Sequence, residues 1–174
     1  MCSKANRSLG FLRRNLQIHN RHIKEIAYKG LVRPIIEYCS QVWNPHEKKY
    51  INMIEMVQRR AARYTLNRYD NTSSVSSMLQ ELDWEKTCCR RSRTDLTCFF
   101  KVQHGLIAVP SPSIVQKPKR QLSKSYLQIP YCSTEAYKQS FFPRAIRLWN
   151  TLPELMTTLD NFNHFKAAIS KLQF

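Results

Sequence analysis

Apolar residues recur at intervals of three and four along most of the chain, and this spacing predicts helices that each bury one face. The stretches with this pattern are residues 3–17, 21–43, 46–67, 75–82, 84–106, 141–152 and 160–172. Pro34 interrupts the second stretch and is expected to kink or split it, because proline has no amide hydrogen to donate. The last helix is expected to begin with Asp160 or Asn161 as its N-cap. The pattern predicts a mainly α fold, and the scarcity of glycine argues against a turn-rich β-sandwich.

Residues 109–130 depart from this helical pattern. Prolines and basic residues are frequent in the stretch, and they are Pro110, Pro112, Lys117, Pro118, Lys119, Arg120, Lys124 and Pro130. Because repeated prolines exclude a continuous helix, we expect an extended basic loop here, with room for one short strand. The polar break at residues 70–74 indicates a boundary. We therefore expect a three-helix unit over residues 1–68 and a helical extension over residues 72–174.

The charge of the chain points to an anionic partner. The 174 residues, 43% of them hydrophobic, can bury a core as one domain or two small ones. They include 28 Lys and Arg against 12 Asp and Glu, a formal net charge of +16, which attracts nucleic acid or an anionic membrane surface. No apolar run approaches the ~20 residues of a membrane helix, and basic residues interrupt the N-terminal segment where a signal peptide would be apolar. We therefore expect an intracellular protein, nuclear or cytoplasmic, with no membrane partner.

The predicted helix over residues 46–67 contains the run EMVQRRAARY at residues 55–64. On a helix, Arg59 and Arg63 lie one turn apart, with Arg60 beside them. A separate apolar stripe follows three- and four-residue spacing through Ile51, Ile54, Val57 and Ala61. A helix that buries one side and displays guanidinium groups on the other suits a polyanion. The alternative is a charged face that only meets solvent.

Basic residues cluster in two further runs, RRSR at residues 90–93 and the aromatic run FFPRAIRLW at residues 141–149. Aromatic rings of the second run could stack on unpaired bases while its arginines meet phosphate. Helical spacing instead favours a core for the apolar residues Phe142, Ile146 and Trp149, with the two arginines exposed. The arginines expected to contact phosphate are, first, Arg59, Arg60, Arg63 and Arg68, and then Arg13, Arg14, Arg90, Arg91, Arg93, Arg144 and Arg147.

No set of residues in the sequence predicts a self-sufficient catalytic centre. Two-metal nucleotidyl transfer needs clustered carboxylates, but Glu81, Asp83 and Glu85 are spaced so that they point to different sides of a helix. The six cysteines have neither zinc-finger nor C-x-x-C spacing, so free thiols are expected. A weaker alternative is a cysteine-dependent enzyme, because Cys88 and Cys89 lie beside arginines. We expect no enzyme activity and no metal or other cofactor in this chain.

Five runs of the chain, taken in order, resemble the reverse transcriptases of non-LTR retrotransposons of the jockey type, which are LINE-like elements. The runs are residues 4–15 (KANRSLGFLRRN), 27–38 (AYKGLVRPIIEY), 42–45 (VWNP), 56–63 (MVQRRAAR) and 140–153 (SFFPRAIRLWNTLP). The first is similar to the segment that follows the polymerase palm, and the last is similar to the family's C-terminal signature. The resemblance covers nearly the whole chain.

The resemblance implies that the chain is the thumb and C-terminal extension of a larger RNA-directed DNA polymerase. In that family these parts help to hold the template–primer hybrid, whereas the chemistry takes place in the palm. The family's aspartate pair in a Tyr-x-Asp-Asp setting, its fingers and its endonuclease have no counterpart in this sequence. The implied partners are RNA, DNA or an RNA–DNA hybrid and the missing palm and fingers, and Mg²⁺ would belong to that palm. A fragment of this kind is not expected to polymerise DNA alone.

The alternative function is a non-enzymatic helical module that binds another protein and whose charge only aids solubility. The two functions differ in salt dependence, because phosphate binding weakens steeply with added salt and helix-groove binding does not. Since no base-reading motif is apparent, the nucleic-acid function would show weak sequence preference.

Overall fold

The computed structural model describes residues 1–70, 73–109 and 126–172, and over these residues the fold is mainly helical, as the sequence pattern predicts. The helices are α1 (Cys2–Asn15), α2 (Arg21–Leu31), α3 (Arg33–Glu37), α4 (Ser40–Trp43), α5 (Lys48–Leu66), α6 (Val75–Glu81), α7 (Thr87–Gln103), α8 (Glu135–Lys138), α9 (Phe141–Trp149), α10 (Glu154–Thr157) and α11 (Phe162–Ser170). The chain divides into two compact units, Met1–Arg90 and Arg91–Phe174. Most of the expected proline-rich loop, residues 110–125, lies outside the described residues.

The second predicted helix, residues 21–43, is three helices in the structure. α2 ends at Leu31, and Pro34 lies in the first turn of α3, where the lack of an amide hydrogen costs little. After α3, Cys39 adopts a left-handed backbone conformation with φ of 51°, and α4 begins at the next residue. The predicted break near Pro34 is confirmed, and the second break, at Cys39, was not predicted.

The core of the first unit is built around α5, which packs against α1, α2 and α6. The predicted apolar stripe of α5 is buried at Ile54, Val57 and Ala61, and Ile51 is half-buried. The buried apolar residues of this core are Ala5, Leu9, Leu12, Tyr28, Val32, Ile36, Ile54, Val57, Ala61, Ala62, Tyr64, Met78, Leu82 and Trp84. Because one side of α5 is taken up by this packing, its basic residues are left on the other side.

The first unit continues beyond residue 68, because the segment after α5 contributes to the same core. Met78 and Leu82 are buried with the residues of α1, α2 and α5. The Trp84 ring stacks on the Tyr28 ring with centroids 4.4 Å apart, and its indole N–H donates to Glu25 Oε1 at 3.0 Å. The unit therefore ends at Arg90, within α7, and not at the predicted boundary of residues 68–72. It also holds more helices than the expected three-helix unit.

The second unit is organised around an aromatic cluster. Phe100 stacks on Phe165 with ring centroids 4.3 Å apart, and the Trp149 ring centroid lies 5.4 Å from those of both Phe99 and Phe165. Trp149 is 3% exposed, so its predicted place in the core is confirmed. The other buried apolar residues of the cluster are Leu96, Leu127, Ala145, Ile146, Leu152 and Ile169.

Local signals set the ends of the helices in the second unit. Asn161 caps α11, as predicted, because its Oδ1 accepts the amide hydrogens of Asn163 (2.8 Å) and His164 (3.4 Å). The Asn150 side chain, at the end of α9, exchanges two hydrogen bonds with the backbone of Leu127. The sequence pattern does not predict α8 and α10, because a single helical turn is too short to show an apolar period.

We expect Trp149→Ala to lower the free energy of unfolding by about 3–5 kcal/mol, because it deletes a large buried ring from the aromatic cluster. Leu155→Ala is the matched control in the same unit: Leu155 is 84% exposed, and its truncation should change stability by less than about 0.5 kcal/mol. Urea unfolding followed by circular dichroism measures both. A decrease below about 1 kcal/mol for Trp149→Ala would place the ring outside the core.

A second prediction concerns Tyr28, which is 1% exposed and whose hydroxyl has no hydrogen-bond partner among the described residues. Burial raises the pKa of Tyr28 to about 12, from a usual value of 10.0. Because the pKa is higher in the folded state, the neutral hydroxyl contributes its full stability below about pH 10 and loses it as the pH rises toward 12.

We therefore expect Tyr28→Phe to be at least as stable as the wild type at neutral pH, since it removes an unpaired buried hydroxyl. The free energy of unfolding of the variant, minus that of the wild type, should be about 1.4 kcal/mol larger at pH ~11 than at neutral pH. Urea unfolding of both proteins at the two pH values measures this difference. If both proteins lost the same stability between neutral pH and pH ~11, ionisation of the Tyr28 hydroxyl would not be the cause of that loss.

Candidate nucleic-acid interface

Residues of α1 and α5 line a cleft on the first unit. Along α1, Asn6, Leu9, Gly10 and Arg13 follow three- and four-residue spacing and so share one face. Along α5, Arg60, Arg63 and Tyr64 do the same. The α5 helix ends at Leu66, and the left-handed conformation of the next residue, Asn67 (φ 55°), turns the chain before Tyr69, which joins the lining. We call this site, of about 290 Å³, the α1–α5 cleft.

Three arginines line the α1–α5 cleft, and neutral groups hold two of them, Arg60 and Arg13. The Arg60 Nη1 group donates to Asn6 Oδ1 at 3.1 Å. The Arg13 guanidinium carbon lies 4.5 Å from the centroid of the Tyr69 ring, a cation–π contact. The Arg63 Nε–H is buried and has no hydrogen-bond partner in the part of the chain that the structure describes.

No acidic residue lines the cleft within the described ranges, and no described carboxylate pairs with its three arginines. Among the described residues, these three guanidinium groups therefore have no carboxylate partner. A guanidinium group that stacks on a ring keeps its in-plane N–H donors available. The site can consequently offer several charge-assisted hydrogen bonds to an anion that enters it.

Of the arginines predicted to contact phosphate, the cleft brings together Arg13, Arg60 and Arg63. Arg14 and Arg59 are exposed on the same two helices but do not line the cleft. Arg68 is exposed and pairs with Glu81, with Nη1 and Oε2 2.7 Å apart. Arg21 lies 3.5 Å from the same carboxylate, so the charge of Arg68 is partly compensated.

Arg90 is held inside the first unit, which differs from the predicted exposed position. Its Nε lies 2.5 Å from Glu37 Oε1, and its Nη2 donates to Gln58 Oε1 at 2.6 Å. The third contact is a hydrogen bond from Nη1 to the carbonyl oxygen of Glu85. These bonds join α3, α5 and α7, so the role of Arg90 in the structure is to connect helices.

The arginines of the second unit are likewise engaged by the fold. Arg91 is 1% exposed, so its predicted role as a phosphate contact is wrong. Arg93 donates to the carbonyl oxygen of Leu172 at 2.7 Å. Arg144 pairs with the fully buried Asp95 at 2.8 Å and its side chain is 14% exposed, which makes its predicted surface position wrong. Arg147 is half-buried and donates to the carbonyl oxygen of Lys138 at 2.6 Å.

The described residues contain no cluster of metal-ligating side chains. No group of three or more His, Cys, Asp or Glu side chains in residues 1–70, 73–109 and 126–172 could hold a metal ion. Cys88 and Cys89 lie with their sulfur atoms 3.9 Å apart, and Cys89 is buried. Burial raises the pKa of the Cys98 thiol, which disfavours the thiolate that a nucleophile needs. No helix in the described part of the chain is long and apolar enough to span a membrane.

Comparisons with protein-family models, with curated proteins and with solved structures found no match to this chain. Residues of two segments, 4–15 and 56–63, supply most of the lining of the α1–α5 cleft. Sequence reasoning missed Asn6 and Tyr69 as parts of the site. Neither residue carries a charge or belongs to the arginine run, so the charge pattern of the sequence gave no sign of them.

We expect Arg90→Gln to destabilise the protein by about 1–3 kcal/mol, because it removes charge-assisted hydrogen bonds that are largely shielded from water. Arg59→Gln is the matched control: it removes the same charge from an exposed site and should change stability by less than about 0.5 kcal/mol. Urea unfolding at neutral pH distinguishes the two. Equal stability of both variants would show that Arg90 does not hold the helices together.

Proposed function

We propose that this chain binds nucleic acid through the phosphate backbone, with the α1–α5 cleft and the exposed arginines next to it as the contact surface. The observation that carries the proposal is that Arg13, Arg60 and Arg63 share one cleft with no carboxylate partner among the described residues. Arg90, Arg93 and Arg144, in contrast, are paired with carboxylates or a backbone carbonyl, so the arginines of this chain are not all placed alike.

The proposed binding is electrostatic and has weak sequence preference. Arginine side chains that neutralise phosphates release condensed counterions, which makes the affinity fall steeply as salt is added. Phosphate contacts position a protein on nucleic acid but read no bases. RNA, DNA and hybrid duplexes should therefore all bind, with dissociation constants of about 1–100 μM at physiological salt.

We further propose, from the five runs of resemblance, that the chain is the thumb and C-terminal region of a non-LTR reverse transcriptase. In that setting the α1–α5 cleft would hold the template–primer hybrid, and the missing palm would supply the aspartates and Mg²⁺ for RNA-directed DNA synthesis. The isolated chain would then bind nucleic acid without extending a primer. The position of two runs on the walls of the cleft supports this proposal.

A second candidate function, a protein-binding helical module, is favoured by apolar side chains left exposed near α3 and α4. Tyr38 is 78% exposed and Val42 is 85% exposed, so both apolar side chains are available to a protein partner. A partner bound through these residues would show little response to salt. A salt titration of binding therefore separates the two functions.

We expect the double variant Arg59→Gln/Arg63→Gln to weaken the binding of RNA, DNA and hybrid to a similar extent. The slope of log K against log salt should fall by about one unit for each phosphate that the variant no longer neutralises. The control Lys48→Gln/Lys49→Gln removes the same charge from exposed positions at the other end of α5 and should change the slope less. Fluorescence anisotropy with a labelled oligonucleotide between about 50 and 200 mM salt measures the slopes, and circular dichroism confirms folding. A flat salt titration of the wild type would refute the proposed function.

A further inference from the structure

The α1–α5 cleft differs from a flat basic surface in a way that bears on its ligand. Arginines spread along an exposed helix face each meet a different phosphate of a bound strand. Arg13, Arg60 and Arg63 instead line a single concave site of about 290 Å³. Three guanidinium groups on one small site match an anion that concentrates charge and acceptor atoms at one point.

The arginine N–H donors of the cleft are held in place, but several of them have no acceptor among the described residues. Arg60 uses one N–H on Asn6, and Arg13 is fixed over the Tyr69 ring, which leaves its in-plane donors available. The buried Arg63 Nε–H has no acceptor in the described part of the chain. Arg63 also lines the cleft, and no described carboxylate pairs with it, so its guanidinium charge is available to an anion in the cleft.

The lining also contains aromatic and apolar groups. The Tyr69 ring, which is 44% exposed, lines the cleft beside the arginines, and the largely buried Tyr64 and Leu9 contribute to the same lining. A single phosphate needs no such wall, whereas the base or sugar of a nucleotide packs well against it. The combination therefore suits one nucleotide with its phosphate rather than a bare anion.

We propose that the α1–α5 cleft binds the phosphorylated end of a nucleic-acid strand, a terminal phosphate monoester together with its nucleotide. A phosphate monoester carries about −1.5 to −2 charge at neutral pH and presents three acceptor oxygens, whereas an internal phosphodiester carries one negative charge. The terminal group therefore matches three guanidinium groups better than any internal phosphate does. This proposal rests on the proposed nucleic-acid binding and adds a preference for strand ends.

The experiment compares four single-stranded oligonucleotides with an internal fluorophore, bound to the full chain at one salt concentration. Three share a sequence and differ in their ends: all hydroxyl, 5′-phosphate or 3′-phosphate. The fourth has hydroxyl ends and one extra nucleotide, which adds a phosphodiester charge without a monoester. We expect one phosphorylated strand to bind about tenfold more tightly than the hydroxyl strand, and the longer hydroxyl strand to gain much less. Whichever of the 5′- and 3′-phosphorylated strands binds more tightly shows which end of a strand the cleft prefers.

Variants locate the effect in the cleft. Arg63→Gln should abolish the preference for the phosphorylated end, whereas Arg7→Gln, which removes an exposed charge from α1 outside the cleft, should retain it. Circular dichroism confirms that both are folded. Arg60→Gln provides a second test of the cleft if Arg63→Gln does not fold.

The outcomes separate this proposal from the proposed function. Equal binding of all ends, with steep salt dependence, overturns the end preference and leaves backbone binding in place. A gain that the longer hydroxyl strand reproduces, or a preference that survives in Arg63→Gln, also overturns it. Competition by a phosphoserine peptide as strong as that by the phosphorylated strand overturns the assignment to nucleic acid. No binding of any oligonucleotide at low salt overturns both proposals together.

Discussion

The packing of α5 against α1 is the constraint on which the candidate site depends. α5 packs against α1, and Ala61 and Ala62 of α5 are fully buried in the core that includes both helices. The Tyr64 hydroxyl then donates toward the carbonyl oxygens of Leu12 and Leu16 at the end of α1, at 3.4 and 3.3 Å. Because the core sets the distance and rotation of the two helices, Arg60 and Arg63 face the same cleft as Arg13. Apolar packing thus positions the charges.

The three- and four-residue spacing of apolar residues predicted most of the long helices of the fold. The long helices were predictable because a buried face repeats over several turns, and Pro34 marked a break by its missing amide hydrogen. The left-handed residue Cys39 has no such signature, so the third piece of the second helix could not be foreseen. The end of the first unit at Arg90 was equally hidden, since the contact between Trp84 and Tyr28 joins residues far apart in the chain.

The candidate site was only partly predictable, for a related reason. Arg59, Arg60 and Arg63 stood out because they are adjacent on one helix, and two of them line the cleft. A basic run looks the same in sequence whether or not a distant carboxylate meets it. Glu37 lies on another helix from Arg90, and Asp95 on another from Arg144, so sequence proximity gave no sign of either pair. Sorting the arginines of this chain therefore requires the tertiary structure.

What each arginine can do depends on the chemical nature of the group that its side chain contacts. A carboxylate cancels the charge of a guanidinium group and satisfies its donors, as Glu37 does for Arg90 and Asp95 does for Arg144. An amide or an aromatic ring orients the group and leaves the charge in place, as Asn6 does for Arg60 and Tyr69 does for Arg13. The first kind of contact stabilises the fold. The second prepares a site for an external anion, because an orientation fixed before binding lowers the entropy lost on association.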